Sequence, residues 1–481
     1  MTLERDPNLA IVEAHLESSR GALLTAAGKF DPLLTDQVSE SRGRLPLTPD
    51  SAFERQTVEN DLGLTKLFRT GLSIQPAVSL LRTADTSVGP GTANAGTLAL
   101  TLRQPLLRGR GRAATGAVEL AAEREVTASG LDLLQATAER IEAVVTQYWS
   151  LEAAQAGLEI LRDSEASSRI LLETTRKLIE ADVTPAAEIV QLEANLAAKE
   201  ASRIGGELAL FQSRQELGRQ IGLDAAEIAA LPPAADPFPG LPPASVPPGA
   251  DARVLTADAR ALTALALARR ADLRAARIRL EAADIAVRAA ENALQPQLDL
   301  VLTPSYSGFA EGVGAGVFFS PLVRNVPGAS VAAGFTLSWP TAGRAARGGL
   351  EQALAARREN ALAVDLLAKG IGASIPAALE AVLRDAAQLD RAVIAVRLFE
   401  RAVENEEKKL KAGTSTLLDV ITQRDRLTAA RQGEVSSQLA LARALLDLRF
   451  ATGTLVASGG AAARLGYADL TTLPTGAEAA P

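Results

Sequence analysis

The sequence has no cysteine, a single histidine, a single methionine, and aromatic residues at only 3% of its 481 positions. Without cysteine there is no disulfide framework, thiolate metal site, cysteine nucleophile or acylated N-terminal cysteine. With His15 as the one histidine, neither metal clusters nor histidine-based catalysis are expected. No Ser–His–Asp arrangement and no Gly-x-x-x-x-Gly-Lys-Ser/Thr phosphate loop occurs. The chain reads as no enzyme and asks for no cofactor. Its 50 basic and 57 acidic residues leave a net charge of −7, not the basic surface that nucleic acid requires. No run of 18 or more apolar residues is present, so no transmembrane helix is expected. A β-barrel stays open, because its short alternating strands give a weak hydropathy signal. The opening, Met1 to Asp6, lacks the apolar core of an export signal; such a signal is expected to have been trimmed, or the start misassigned.

What is there is largely alanine and leucine, with Glu, Arg and Gln, the strong helix formers. The chain also contains itself twice. Leu9/Leu273, Leu16/Leu280 and Pro32/Pro296 share one spacing; Ala181/Ala412, Glu188/Asp419, Leu196/Leu427 and Gly222/Gly453 share another. Each repeat reads helix, strands, very long helix, shorter helix. Residues 1–223 form the first repeat, with tunnel-length helices about 112–181 and 185–223. Residues 270–455 form the second, with helices about 344–412 and 417–452. The longer of each pair would reach about 100 Å at 1.5 Å per residue. Pro376 should kink its helix. A Pro-rich linker and connecting segment (224–269) joins the repeats, and a disordered tail is expected over 456–481.

Strands with one apolar and one polar face are expected at about 64–81 and 97–104, and at about 297–306 and 329–339. In 97–103, Leu98, Leu100 and Leu102 alternate with Thr97, Ala99, Thr101 and Arg103. Residues 33–41, which hold Asp36 and Glu40, alternate worst and are read as a rim or loop. Residues 43–63, 82–95 and 307–328 are read as loops outside the cell. Four such strands are too few to close a barrel, so several copies must combine.

Gln104-Pro105-Leu106-Leu107-Arg108-Gly109, Arg270-Ala271-Asp272-Leu273 with Leu294-Gln295-Pro296, Ala412-Gly413-Thr414-Ser415-Thr416-Leu417-Leu418-Asp419-Val420 and Ala451-Thr452-Gly453-Thr454-Leu455 resemble, in order, motifs of the TolC-like outer-membrane efflux proteins. The resemblance covers about 6–455. It implies a mainly α fold with a membrane β-barrel portion, as a trimeric twelve-stranded outer-membrane barrel on a twelve-helix periplasmic tunnel. It also implies a homotrimer docked to a periplasmic adaptor and an inner-membrane pump. The chain would then be the passive gated duct of a tripartite efflux or type I secretion system. A soluble periplasmic coiled-coil scaffold or adaptor is the alternative.

Two sets of residues could carry such a mechanism. Asp182, Val183 and Thr184, before Pro185, and Gly413, Thr414, Ser415 and Thr416 form the turns between helices. They serve reversal and capping, and adaptor contact under the resemblance. Asp419, with Glu188 as its counterpart, sits where the family's carboxylates line the periplasmic entrance. The second acidic position is Thr422 here, with Gln191 as its counterpart. Asp419 can equally act only on its own helix N-terminus. The run Arg108-Gly109-Arg110-Gly111-Arg112 suits a turn facing lipid headgroups, and Trp339 either an aromatic belt or simple packing.

Overall fold

A computed structural model describes residues 6–85, 91–180, 188–239, 252–323, 328–456 and 473–474. It divides into two compact units. One holds residues 16–129 and 276–363; the other holds residues 1–15, 130–275 and 364–481.

The first of these units is built on a six-stranded antiparallel sheet in plain sequence order: β1 (Leu33–Thr48), β2 (Ser51–Leu67), β3 (Ser73–Asp85), β4 (Gly91–Pro105), β5 (Gln297–Glu311) and β6 (Ala329–Ser338). The register fixes two faces. Leu62, Val78, Leu98 and Tyr306 line up across one face. Gln37, Asp61, Ser79, Thr97 and Ser307 line up across the other. Leu298, Leu300 and Leu302 share the apolar face with Leu337, Phe335 and Ala333. Much of that face is uncovered: Leu98, Phe335 and Leu337 are all exposed, as is Trp339 just past the end of β6.

Six strands replace the four expected. The segment demoted to a rim, 33–41, is the start of β1, and most of the supposed loop 43–63 is β2. Both strands are held by backbone pairing with a neighbour, which does not need an apolar residue at every second position. The single strand expected over 64–81 is broken at Phe68–Leu72. There Phe68 N–H donates to the Leu72 carbonyl and Gly71 N–H to the Phe68 carbonyl (both 2.8 Å). Gly71 takes φ +93°, which a side chain would oppose. β4 begins at Gly91 and β5 runs to Glu311, both beyond the expected ends. Residues 307–328 are not simply a loop, since a short helix (Ala315–Phe319) and a 3₁₀ turn (Ser320–Leu322) fold back on the apolar face. Gly96 and Gly308 make the seat: a Cβ on either would collide with Pro321.

The helices, numbered in chain order, are α1 (Pro7–Gly28), α2 (Arg112–Thr115), α3 (Ala117–Glu180), α4 (Glu188–Gln220), α5 (Ala225–Ala229), α6 (Ala252–Arg269), α7 (Ala271–Ala293), α8 (Ala315–Phe319), α9 (Arg344–Lys411) and α10 (Leu417–Thr452). The segment 224–269 is therefore more than a linker. α5 carries an Asp224–Glu227 capping box, and Ala234 exchanges backbone bonds with the Gln155 side chain. Tyr148 Oη accepts from the Ala235 and Asp236 N–H groups. Proline-rich composition masked the helix α6 beyond it.

The core of the second unit joins Leu262, Leu265 and Ala266 of α6, Leu273 of α7, Ile371, Ile375, Leu379 and Val382 of α9, and Leu441, Leu445 and Leu448 of α10. The i, i+4 spacing from Ile371 to Leu379 puts these side chains on one stripe. The helix α9 runs through the exposed Pro376 without a break. By length and composition it is also apolar enough to cross a membrane, against the expectation that no helix would be. The stripe packed on α6 and α10 gives part of that apolarity a core role. Of the tail, only Leu473 and Pro474 lie among the described residues past Val456, and Leu473 packs on this core.

Candidate functional site at the helical turn

The turn between α9 and α10 is built by local chemistry. α9 ends with Lys408, Lys409 and Lys411 in its last turn, where cations suit the exposed carbonyls. Thr414 N–H then donates to the Lys409 carbonyl and Gly413 N–H to the Leu410 carbonyl (both 3.0 Å), with Gly413 at φ +73°. This is a Schellman closure, and glycine is there because the left-handed position disfavours a Cβ. Thr416 restarts the chain as N-cap of α10. Asp419 N–H donates to Thr416 Oγ1 (3.2 Å), and Thr416 N–H donates back to Asp419 Oδ2 (3.1 Å), completing a capping box. Thr416 Oγ1 also donates to Asp419 Oδ2 (2.6 Å).

These bonds set the electrostatics. Donation from the Thr416 hydroxyl, then from its backbone N–H, holds the Asp419 carboxyl below its usual range. Glu406 is lowered likewise, first by Ser415 Oγ and then by Lys409. Both groups are therefore ionised at neutral pH. Asp419 is exposed, but its carboxylate is engaged in the cap.

Glu188 and Gln191 of α4 line a cleft of ≈ 100 Å³ with Thr416, Leu417 and Leu418. Leu192, Ile421 and Leu172 form a small core at this level, flanked by Ile189 and Leu417. Of the residues expected at the entrance, the structure thus brings Glu188 and Gln191 to the Thr416 cap. Asp419 and Thr422 do not line that cleft; Thr422 Oγ1 donates to the Leu418 carbonyl of its own helix (2.8 Å). Asp182, Val183 and Thr184 lie outside the described residues.

Sequence reasoning missed an ionic layer beside this core. Arg424 grips Glu407 with two donors (2.6 and 3.2 Å) and donates to the Ser167 carbonyl (3.0 Å). Lys199 pairs with Asp425 (2.5 Å), and Thr428 Oγ1 donates to Ser164 Oγ (3.2 Å). α3, α4, α9 and α10 are tied together here by side chains far apart in the chain. The alternating charge of long helices gave the only hint, and it did not name partners. Among the described residues no group of three or more His, Cys, Asp or Glu side chains could hold a metal ion. The arrangement can cap, pair and repel; it offers no catalytic constellation.

Comparison with known proteins agrees with this architecture. Residues 262–454 match the family model described as outer membrane efflux protein. No curated protein matches by sequence. Among solved structures, the outer-membrane channel OprN is 17% identical, with 94% of this chain and 88% of that one covered, at a TM-score of 0.67. The outer membrane protein VceC of Vibrio cholerae is 19% identical, with 94% of each chain covered and a TM-score of 0.65. The MtrE outer membrane channel of Neisseria gonorrhoeae, in its open state, is 18% identical, with 94% and 87% covered and a TM-score of 0.61. The pattern of the outer membrane efflux protein family thus lies on residues 262–454, within the second half of the chain, and the fold of these outer-membrane channels extends over nearly the whole of it.

Proposed function

We propose that the chain is one protomer of a homotrimeric export duct, with the sheet in the outer membrane and the long helices in the periplasm. The duct passes small molecules or proteins outward for an inner-membrane pump, joined through a periplasmic adaptor, as in tripartite efflux or type I secretion. The observation that carries this reading is the two-faced sheet. Its uncovered leucines, Phe335 and Trp339 suit lipid, and its serines, threonines and Gln37 suit a wet lumen. Such a sheet cannot stand open in a bilayer, where unpaired backbone groups find no water. The order helix, strands, long helix, shorter helix occurs twice, which supports a duplicated chain with repeats 1–223 and 270–455.

The turns place two roles together. Gly413–Thr416 presents a short polar loop suited to an adaptor, and by its sequence Asp182–Thr184 would serve with it. Threefold symmetry would turn Asp419 and Glu188 into rings of like charge that attract cations and resist close approach. Thr422 and Gln191 add no second ring. A soluble scaffold or adaptor, the other reading, has no use for a broad uncovered apolar sheet face.

The test is fractionation of cells expressing the full chain behind an export signal, followed by mass measurement in detergent. A trimer from the outer-membrane fraction is expected. A folded monomer or dimer that is soluble without detergent would refute the duct.

A further inference from the structure

We infer that this duct closes as an eighteen-stranded barrel, with β6 of each copy paired to β1 of the next, so that β1 and β2 are wall strands of a wider pore. This rests on the trimeric duct proposed above, and concerns how many strands each copy contributes.

The first ground is the ladder. β3 is paired on both sides, to β2 and to β4. It therefore has no free edge to offer another copy. Only β1 and β6 end the described sheet. A barrel using four strands per copy would have to strip β2 from β3 along a register that runs from Arg55↔Asp85 to Leu67↔Ser73. Six strands per copy need no bond broken. Six is also even, so the chain comes in at Leu33 and Gln297 and leaves after Pro105 and Ser338 at one end of the sheet, where α1, α2, α7 and α9 adjoin it.

The second ground is how the extra hairpin is anchored. At the helix end of the sheet, the β2–β3 turn is keyed to the start of the long helix. Gly111 N–H donates to the Thr70 carbonyl (2.9 Å). Arg69 forms a two-armed pair with Glu119 of α3, its Nε arm at 2.7 Å. A Cβ on Gly71 would run into the Gly109 carbonyl and lie 2.7 Å from Pro105 Cγ. Lys66 Nζ donates to the Phe30 carbonyl just ahead of β1, and the Arg69 guanidinium lies 4.8 Å from the Phe30 ring centre. β1 and β2 are built into the sheet and are not a loose flap.

The third ground is that the two faces carry into the start of the hairpin, where Asp36 alone breaks the apolar side of β1 between Leu34 and Val38 and accepts from Asn60 (2.8 Å). Leu34 and Leu64 are paired on the apolar side, and Val38 is exposed there. On the polar side, Ser79 Oγ donates to Asp61 and Arg55 pairs with Asp85 (2.9 Å). From Glu40 outward charged and amide side chains take over the apolar side, with Glu40 bonded to Arg42 and Gln56, while Leu45 pairs with Phe53 on the other side. At 16 and 17 residues, β1 and β2 are the longest strands, and this outer half lies where the wall meets headgroups and water. For strands about 4.8 Å apart and tilted about 40°, eighteen strands give a backbone diameter of about 36 Å, against about 24 Å for twelve.

The chain has no cysteine of its own, so single cysteines report their surroundings. In the full chain purified from outer membranes as a trimer, Gln37→Cys and Asp61→Cys should react with a membrane-impermeant maleimide about tenfold or more faster than Val38→Cys and Leu62→Cys, as wall strands alternate lumen and lipid. Thr101→Cys and Leu100→Cys on β4 provide the same contrast as controls. Cysteines paired between β1 (Thr35, Gln37 or Ser39) and β6 (Ser330, Ala332 or Gly334) should give inter-copy disulfides in at least one register. End-on cryo-EM of the unmodified trimer should count eighteen strands. If β4 alternates but Val38→Cys and Leu62→Cys react as fast as their neighbours, and β6 cross-links to Ser79→Cys on β3, the barrel has twelve strands. The inference then falls while the duct stands. If β4 does not alternate and no trimer forms, the duct reading itself fails and takes the inference with it.

Discussion

Glu142 on α3 offers a quantitative test of the packing in the helical unit. Burial first, then the nearby Asp447 carboxylate, pushes its carboxyl up to about 7; Glu139 adds to this, and Arg270 opposes it. Asp447, on α10, is itself raised by burial and drawn down by Glu142 and Arg443. The folded state thus holds the Glu142 proton more tightly than the unfolded chain does. Its stabilising contribution is complete below the ordinary glutamate pKa of 4.5 and is lost as pH rises through about 7. The displacement sets a ceiling of about 3 kcal/mol. The site is only half-buried, so solvent screening reduces this to about 1–2 kcal/mol. Glu142→Gln keeps the shape and a hydrogen-bond donor but removes the titration. At pH 8 the variant should melt about 1–2 °C above the parent, given an unfolding entropy of about 1 kcal/mol/K for a chain of this size. At pH 5 the two should coincide. Thermal melts in detergent, followed by circular dichroism, would show it. A variant less stable than the parent at pH 8, or an unchanged difference between pH 5 and 8, would refute the assignment.

Three further outcomes are expected. Gly71→Ala should lower folded yield and stability by about 2 kcal/mol or more, from its left-handed backbone and the clash with Gly109; Gly43→Ala, which meets nothing within 4 Å, should behave as the parent in the same melts. Arg424→Ala should destabilise the helical unit by leaving Glu407 without its guanidinium. A cycle with Glu407→Gln should recover a coupling of about 0.5–3 kcal/mol, and strict additivity would deny the pair any role. Thr416→Ala should loosen the first turn of α10 by about 1 kcal/mol, read as faster amide exchange over Thr416–Val420 with the sheet unchanged.

The position of the turn was legible because its chemistry is local. Gly413, Thr416 and Asp419 close one helix and open the next within seven residues, and those residue types say so unaided. The same is true of the long helices, whose composition fixes them, and of β4, where Leu98, Leu100 and Leu102 alternate cleanly. β1 and β2 were not legible. Asp36, Glu40, Arg42, Glu54 and Gln56 fall on positions where a membrane strand should be apolar, so the period-two signal is broken. The hairpin between Thr48 and Ser51 carries no glycine to announce it.

The sequence by itself therefore determined the repeated order of elements, the absence of catalytic equipment and the caps at the turn. All of these depend on neighbours within a few residues or on composition. The tertiary structure alone decided that β1 and β2 join the sheet, because a strand is held by hydrogen bonds to a neighbouring strand and those bonds leave no mark on the side-chain pattern. It also decided that Arg424 meets Glu407 across the helical turn and Ser167 far back in the chain, and that Glu142 leans on Asp447, because such pairings depend on how separate helices pack.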